Sequence, residues 1–253
     1  MIQVENLTMK YTYGPSFLVP HATFLPGEIA TVIGRNGSGK STFLRALAGQ
    51  MPYEGSIRIG EKELKTLNPI ERARQIAFLP QNVNVAHLSV KMLVEHGRYP
   101  YHGNVRRLNK EDDEHVERAL FMAGLSDLSG RELGELSGGE QRRAFLAMVI
   151  AQNTPMILLD EPTTYMDHRY QEDFYEVLKK LAGEGKGIVM VCHDIVQSFT
   201  YSDRIFLMQD RCLSEGMTPE ELAKEEACLR ENFGAVMKKD SDPKALYRYT
   251  MKR

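Results

Sequence analysis

The 253-residue chain predicts an α/β fold: a parallel sheet with helices between its strands, an N-terminal antiparallel β layer, and a helical subdomain inserted between two halves of the core. Three observations predict it. Residues 28–49 read as an apolar strand, a glycine-rich loop and a helix. Residues 156–161 read as a second apolar strand ending in two carboxylates, and apolar runs at 188–192 and 204–208 follow it, with helical stretches such as 170–181 between. Between these halves the patterning turns helical, over residues 84–153.

The elements follow in order. Short apolar stretches at residues 2–4, 17–19 and 22–25 lead into the turn Pro26-Gly27, and residues 55–60 alternate like a strand; these pieces make the β layer. Residues 28–33 form the first core strand, 34–39 a loop, and 40–48 a helix ended by Gly49. In the insertion, Asn109 suits an N-cap, and Glu111, Asp112 and Asp113 occupy the first turn, where negative charge favours the helix start. Val116, Ala119, Leu120 and Ala123 then share one face, and Gly124 ends the helix. The division is therefore a core of residues 1–83 and 154–234, a helical subdomain of residues 84–153, and a charged, weakly patterned tail from 235 to 253.

Composition narrows the classes. Hydrophobic residues make up 42% and charged residues 26%, ordinary for a globular protein. The net charge of −2 argues against a dedicated nucleic-acid binder. The longest apolar runs, at 146–151, 156–159 and 188–192, fall short of the roughly 20 residues that span a bilayer. Met1-Ile2-Gln3-Val4-Glu5-Asn6 lacks the basic and apolar regions of a signal peptide. Cys192, Cys212 and Cys228 have no metal-type spacing and read as reduced thiols with packing or surface roles. Any membrane role then comes through a partner.

Gly34-Arg35-Asn36-Gly37-Ser38-Gly39-Lys40-Ser41 fits the pattern G-x-x-x-x-G-K-[ST], and Thr42 follows. Glycines let backbone N–H groups turn inward around phosphates, and the helix start adds its positive end. Lys40 is expected to reach the β- and γ-phosphates, and Ser41 to hold Mg²⁺. Asp160, closing the strand Met156-Ile157-Leu158-Leu159-Asp160, is expected to bind Mg²⁺ through water, and Glu161 to orient the attacking water. Leu136-Ser137-Gly138-Gly139-Glu140 is a second glycine-rich turn; Ser137, Gly138 and Gly139 open a helix whose start offers a hydroxyl and N–H groups to an anion.

With these motifs in order, the chain resembles the nucleotide-binding subunit of an ATP-binding cassette transporter, from about residue 2 to 230. The resemblance implies a P-loop NTPase (RecA-like) core, ATP and Mg²⁺ as cofactors, and ATPase activity coupled to transport. It makes Leu136–Glu140 the signature motif, which faces the γ-phosphate held by a second copy in a head-to-tail dimer. Gln81 resembles the glutamine that senses Mg²⁺ and water and links to the permease. His193 resembles the switch histidine at the γ-phosphate. Tyr11 resembles the aromatic that stacks on adenine, with Tyr13 as its competitor. Asp167 resembles the D-loop aspartate, although Tyr165-Met166 before it departs from the small or aliphatic residues usual there. The implied partners are a second copy, an integral-membrane permease dimer and, indirectly, a substrate-binding protein, with no nucleic acid. The implied location is the cytoplasmic face of a bacterial or archaeal cell membrane.

Gly97-Arg98-Tyr99-Pro100, within residues 88–103, resembles importers of iron–siderophore complexes, with haem and cobalamin importers close by. Without that resemblance Arg98-Tyr99-Pro100 reads as a surface turn. His96 and His102 read as solvated or packed rather than metal-binding. Two rival readings remain: a soluble cassette ATPase outside transport, and an exporter subunit. The first loses ground because no heptad coiled coil separates Lys40 from Ser137 and the chain carries one cassette; the 88–103 region weighs against the second.

Overall fold

The computed structural model describes residues 1–9, 17–83, 87–102, 108–164, 166–239 and 247–250. Strands β1 (Ile2–Met9) and β2 (Phe17–Phe24) pair antiparallel, with Ile2 opposite Phe24 and Met9 opposite Phe17. Strand β3 (Ile29–Gly34) runs into helix α1 (Lys40–Leu47). Strand β4 (Glu54–Ile59) pairs antiparallel with the other edge of β1, and β5 (Lys62–Glu63) with β4. Helix α2 (Pro69–Ala73), opened by an Asn68–Glu71 capping box, leads into β6 (Ile76–Leu79).

Four helices follow: α3 (Val90–His96), α4 (Tyr99–His102), α5 (Lys110–Met122) and α6 (Gly138–Gln152). Asn109 caps α5 as expected: its Oδ1 accepts from the Asp112 N–H at 3.0 Å, and Asp112 Oδ2 accepts from the Asn109 N–H at 3.0 Å. The chain then alternates through β7 (Met156–Asp160), α7 (His168–Gly183), β8 (Gly187–Val191), α8 (Ile195–Tyr201) and β9 (Arg204–Gln209). It ends with β10 (Cys212–Leu213), α9 (Pro219–Lys224), α10 (Glu226–Phe233) and the hairpin β11 (Val236–Lys239)–β12 (Tyr247–Thr250).

Ten strands form one sheet in the order β5-β4-β1-β2-β10-β9-β3-β8-β7-β6. From β9 to β6 all neighbours are parallel. The antiparallel strands expected as a layer of their own join this sheet: Cys212 pairs with Leu18, and the Leu18 N–H donates to Arg211 O at 2.9 Å. The parallel strands are apolar without a break because both faces are covered. Successive side chains point to opposite sides. Ile157, Leu159, Ile188 and Met190 pack in one cluster with the inserted helices and α7. Leu158, Val189 and Val191 pack in another with α1 and the N-terminal strands. Several elements lie where no strand or helix was expected: β5, α2, β6, β10, α9, α10 and the hairpin, which occupies part of the tail read as weakly patterned. These are short, and β6 lacks alternation because it too is buried on both faces.

Candidate active site

The parallel strands β3, β8, β7 and β6 end at one edge of the sheet, where ligands of open α/β sheets collect. Each delivers one part of the site. β3 delivers the glycine-rich loop. Gly34 has φ +153°, and a Cβ there would meet Met208 O at 2.3 Å, so only glycine fits. Gly39 turns left-handed, φ +108°, to start α1, and its bare Cα faces the Phe17 ring. The buried Lys40 ammonium donates to its own loop, to Gly34 O at 2.8 Å and Arg35 O at 3.0 Å. Burial pulls the Lys40 pKa down, and the charges of Glu161 and Asp160 oppose that.

β7 delivers the two carboxylates. Asp160 is fully buried, and Ser41 Oγ donates to its Oδ1 at 2.8 Å. Its Oδ2 is also buried and has no hydrogen-bond partner among the described residues. Burial raises the Asp160 carboxyl's pKa. A hard divalent cation beside Ser41 would supply the missing partner and favour the charged carboxylate, so the donor set fits Mg²⁺. Glu161 has φ +48°, a left-handed conformation uncommon outside glycine, costing of order 1–3 kcal/mol. Its N–H is held by Val191 O at 3.1 Å. Its carboxylate accepts from Gln81 Nε2, after β6, at 2.6 Å, and meets His193 Nε2, after β8. Three side chains singled out separately in the sequence thus converge because β6, β7 and β8 are neighbours.

These groups line an open cavity of about 560 Å³. Of the residues expected from sequence, Asn36, Gly37, Ser38, Gly39, Lys40, Ser41, Thr42, Gln81, Glu161 and His193 line it. Gly34, Arg35 and Asp160 are not among the lining residues; Arg35 is exposed and lines a separate cavity with Met208 and Asn232. Tyr11 and Tyr13 lie outside the described residues. Leu136–Glu140 and Asp167 are not among the lining residues. Ser137 instead caps α6: its hydroxyl and its N–H both donate to Glu140 Oε2, at 2.7 and 2.8 Å. Those bonds hold the Glu140 carboxyl below its usual range. The Ser137 hydroxyl expected to face an anion is therefore spent within its own chain. Asp167 is exposed and caps α7 through its backbone carbonyl.

Three residues here escaped the sequence reading. Phe17 and Arg211 line the cavity from β2 and from the β9–β10 turn; nothing local marks them. Arg142 does carry a signal: it shares the spacing of the buried Phe145, Leu146 and Val149, so a charge falls on an apolar helix face. It is 5% exposed, and burial lowers its pKa to about 10.

The Gly97-Arg98-Tyr99-Pro100 segment is not a surface turn at Arg98. Arg98 is 4% exposed; it donates to Asp112 Oδ1 at 2.8 Å and Ala151 O at 2.9 Å and stacks over Tyr101. The Tyr101 hydroxyl donates to Gln152 O at 2.8 Å. His102 packs against Asp112, with Nε2 3.0 Å from Oδ2, and His96 against the Tyr99 ring. The segment braces α4, α5 and the end of α6.

A glycine-rich loop at a strand end, a buried lysine, a cation-ready Ser–Asp pair and a Gln–Glu–His cluster define a nucleoside-triphosphate-binding protein. The family model described as ABC transporter matches residues 20–164. The petrobactin import ATP-binding protein FpuD of Bacillus anthracis is 36% identical over 245 residues, 95% of this chain and 89% of that protein. The probable siderophore transport system ATP-binding protein YusV of Bacillus subtilis is 39% identical, over 88% of this chain and 82% of that one. The dimeric bacterial ABC transporter cassette MJ0796 superposes with a TM-score of 0.76 at 29% identity, covering 87% of this chain and 99% of that one. The chain belongs to the ABC transporter family, as an ATP-binding cassette ATPase. Among the described residues no helix is long and apolar enough to cross a membrane.

Proposed function

We propose that this chain is the ATP-hydrolysing subunit of an importer that carries an iron chelate, specifically a ferric siderophore, through a partner permease at the cytoplasmic face of the membrane. The observation that carries the reading is the Gln81–Glu161–His193 cluster at the open side of the Lys40 cavity, in a chain whose relatives import petrobactin and other siderophores. The loop N–H groups and Lys40 bind the β- and γ-phosphates. Ser41, Asp160 and Gln81 would hold Mg²⁺, whose charge would offset that of the phosphate oxygens. Glu161 accepts a hydrogen bond from the water that attacks the γ-phosphorus. The bond from that phosphorus to the bridging oxygen breaks, its electron pair leaves on ADP, and phosphate departs with the water's oxygen and both of its protons, one relayed by Glu161. His193 donates to the γ-phosphate, and Tyr11 stacks on adenine.

Leu136–Glu140 and Asp167, outside the cavity of their own chain, serve the site of a second copy in a head-to-tail dimer. Ser137 then trades its bond to Glu140 for one to the partner-held γ-phosphate. The permease dimer docks against the helical subdomain, and a substrate-binding protein delivers the chelate. Co-expression with the permease encoded beside it tests the assignment. ATPase activity should rise with a binding protein loaded with ferric siderophore and not with hemin-loaded protein; stimulation by hemin alone sinks the siderophore reading. Lys40→Ala should weaken binding of a fluorescent ATP analogue by about 10–100-fold, the equivalent of about 1.5–3 kcal/mol of charge-assisted hydrogen bonding. Unchanged affinity would remove Lys40 from the phosphate site.

A further inference from the structure

Arg142 sits one turn into α6, the helix that the signature turn opens, yet its guanidinium reaches away from that turn into the active site. A guanidinium has five N–H donors. All five are used here, and every acceptor is a backbone carbonyl. Nη1 donates to Pro80 O at 2.8 Å and Gln81 O at 3.1 Å. Nη2 donates to Asp160 O at 2.9 Å and Glu161 O at 3.2 Å, and Nε to Pro162 O at 3.0 Å. One side chain therefore holds the segments that carry Gln81 and Glu161, whose own side chains are bonded at 2.6 Å. It also fixes the carbonyl of Glu161, the residue with φ +48°.

The other end of α6 is anchored independently. Gln152 Nε2 donates to Ala73 O at 2.5 Å and Ile76 O at 3.2 Å, and Arg98 holds Ala151 O. Arg142 lies ten residues before Gln152, roughly 15 Å along the helix at 1.5 Å per residue. A shift of the signature end about that anchor moves Arg142, and with it the carbonyls of both strand ends.

We propose that Arg142 is a positioning residue that makes the alignment of Gln81 with Glu161 depend on the seating of the signature helix. The inference rests on the ATPase reading above. It assigns Arg142 no contact with nucleotide: it does not line the cavity. Its effect is therefore on turnover rather than on binding. Lysine keeps the charge but presents three donors from one nitrogen, and glutamine presents two, so neither reproduces the five-carbonyl fork.

The test uses the full chain with its permease and compares wild type with Arg142→Lys and Arg142→Gln. Fluorescent-ATP affinity, kcat, KM and melting temperature are measured for each. Expected for both variants is a kcat loss of about 10²-fold, the cost of a misplacement of about 1 Å, with KM and nucleotide affinity within about threefold of wild type. If Arg142→Gln does not fold, Arg142→Lys decides alone. A kcat within about threefold of wild type in a folded variant overturns the proposal, as does a parallel loss of nucleotide affinity. Glu161→Gln is the control. If it keeps wild-type turnover, the active-site reading fails and the Arg142 proposal falls with it. If the control is inactive and the Arg142 variants are not, only the Arg142 proposal fails.

Discussion

Glu161→Gln should leave nucleotide binding intact and lower kcat by about 10²–10⁴-fold, the range removed with a general base. The substitution keeps shape and a hydrogen-bonding oxygen but removes the charge proposed to polarise water. Fluorescent-ATP titration and phosphate release in the same preparation separate the two effects. Glu161 is 11% exposed at the side chain and gathers Gln81 and His193, so the substitution acts at the centre of the cluster. Phosphate release within about threefold of wild type would show that another group activates the water.

Asp112→Ala should destabilise the fold by about 3–5 kcal/mol, the cost of stranding one partner of a buried ion pair. The stranded group is Arg98, whose side chain is 5% exposed against 2% for Asp112. Urea unfolding at neutral pH measures it; a loss under about 1 kcal/mol would mean the pair is better solvated than its burial indicates. The pH dependence has a defined sign. Burial pushes the Asp112 carboxyl up, but the Arg98 hydrogen bond, the Asn109 N–H and the nearby charges outweigh it and hold the pKa below its usual value. A depressed acid contributes stability that is present above the unfolded pKa, about 3.9, and is lost as pH falls through the folded one. The gap between wild type and Asp112→Ala should therefore narrow below about pH 4.

How far each residue was legible depended on whether its reason was local. The loop from Gly34 to Ser41 could be read because its glycines answer to backbone geometry within a few bonds of themselves. The strand Met156–Asp160 could be read because continuous apolar residues mark a two-sided core. The Asn109 cap could be read because its acceptor and its donor lie three residues apart. By contrast β6 is four residues long and borrows its stability from β7, so it left little trace of its own. Arg98 looked like part of a surface turn because its partners, Asp112 and Ala151, lie 14 and 53 residues away. Arg142 carries a signal that the sequence reading passed over, a charge on an apolar helix face, and its five acceptors come from two other segments.

The chain's local chemistry by itself determined the class of protein: a phosphate loop, an acidic strand end and a signature turn each need only their own neighbours to be recognised. Only the tertiary structure decided how they act together. The sheet order β8-β7-β6 sets His193, Glu161 and Gln81 side by side, and α6 brings Arg142 beneath them while its signature turn stays outside the cavity. Backbone geometry propagates over a few residues, whereas hydrogen bonds across the sheet join segments 80 residues apart, as Gln81 and Glu161 are. The motifs are therefore written in sequence, and their coupling exists only in the packed fold.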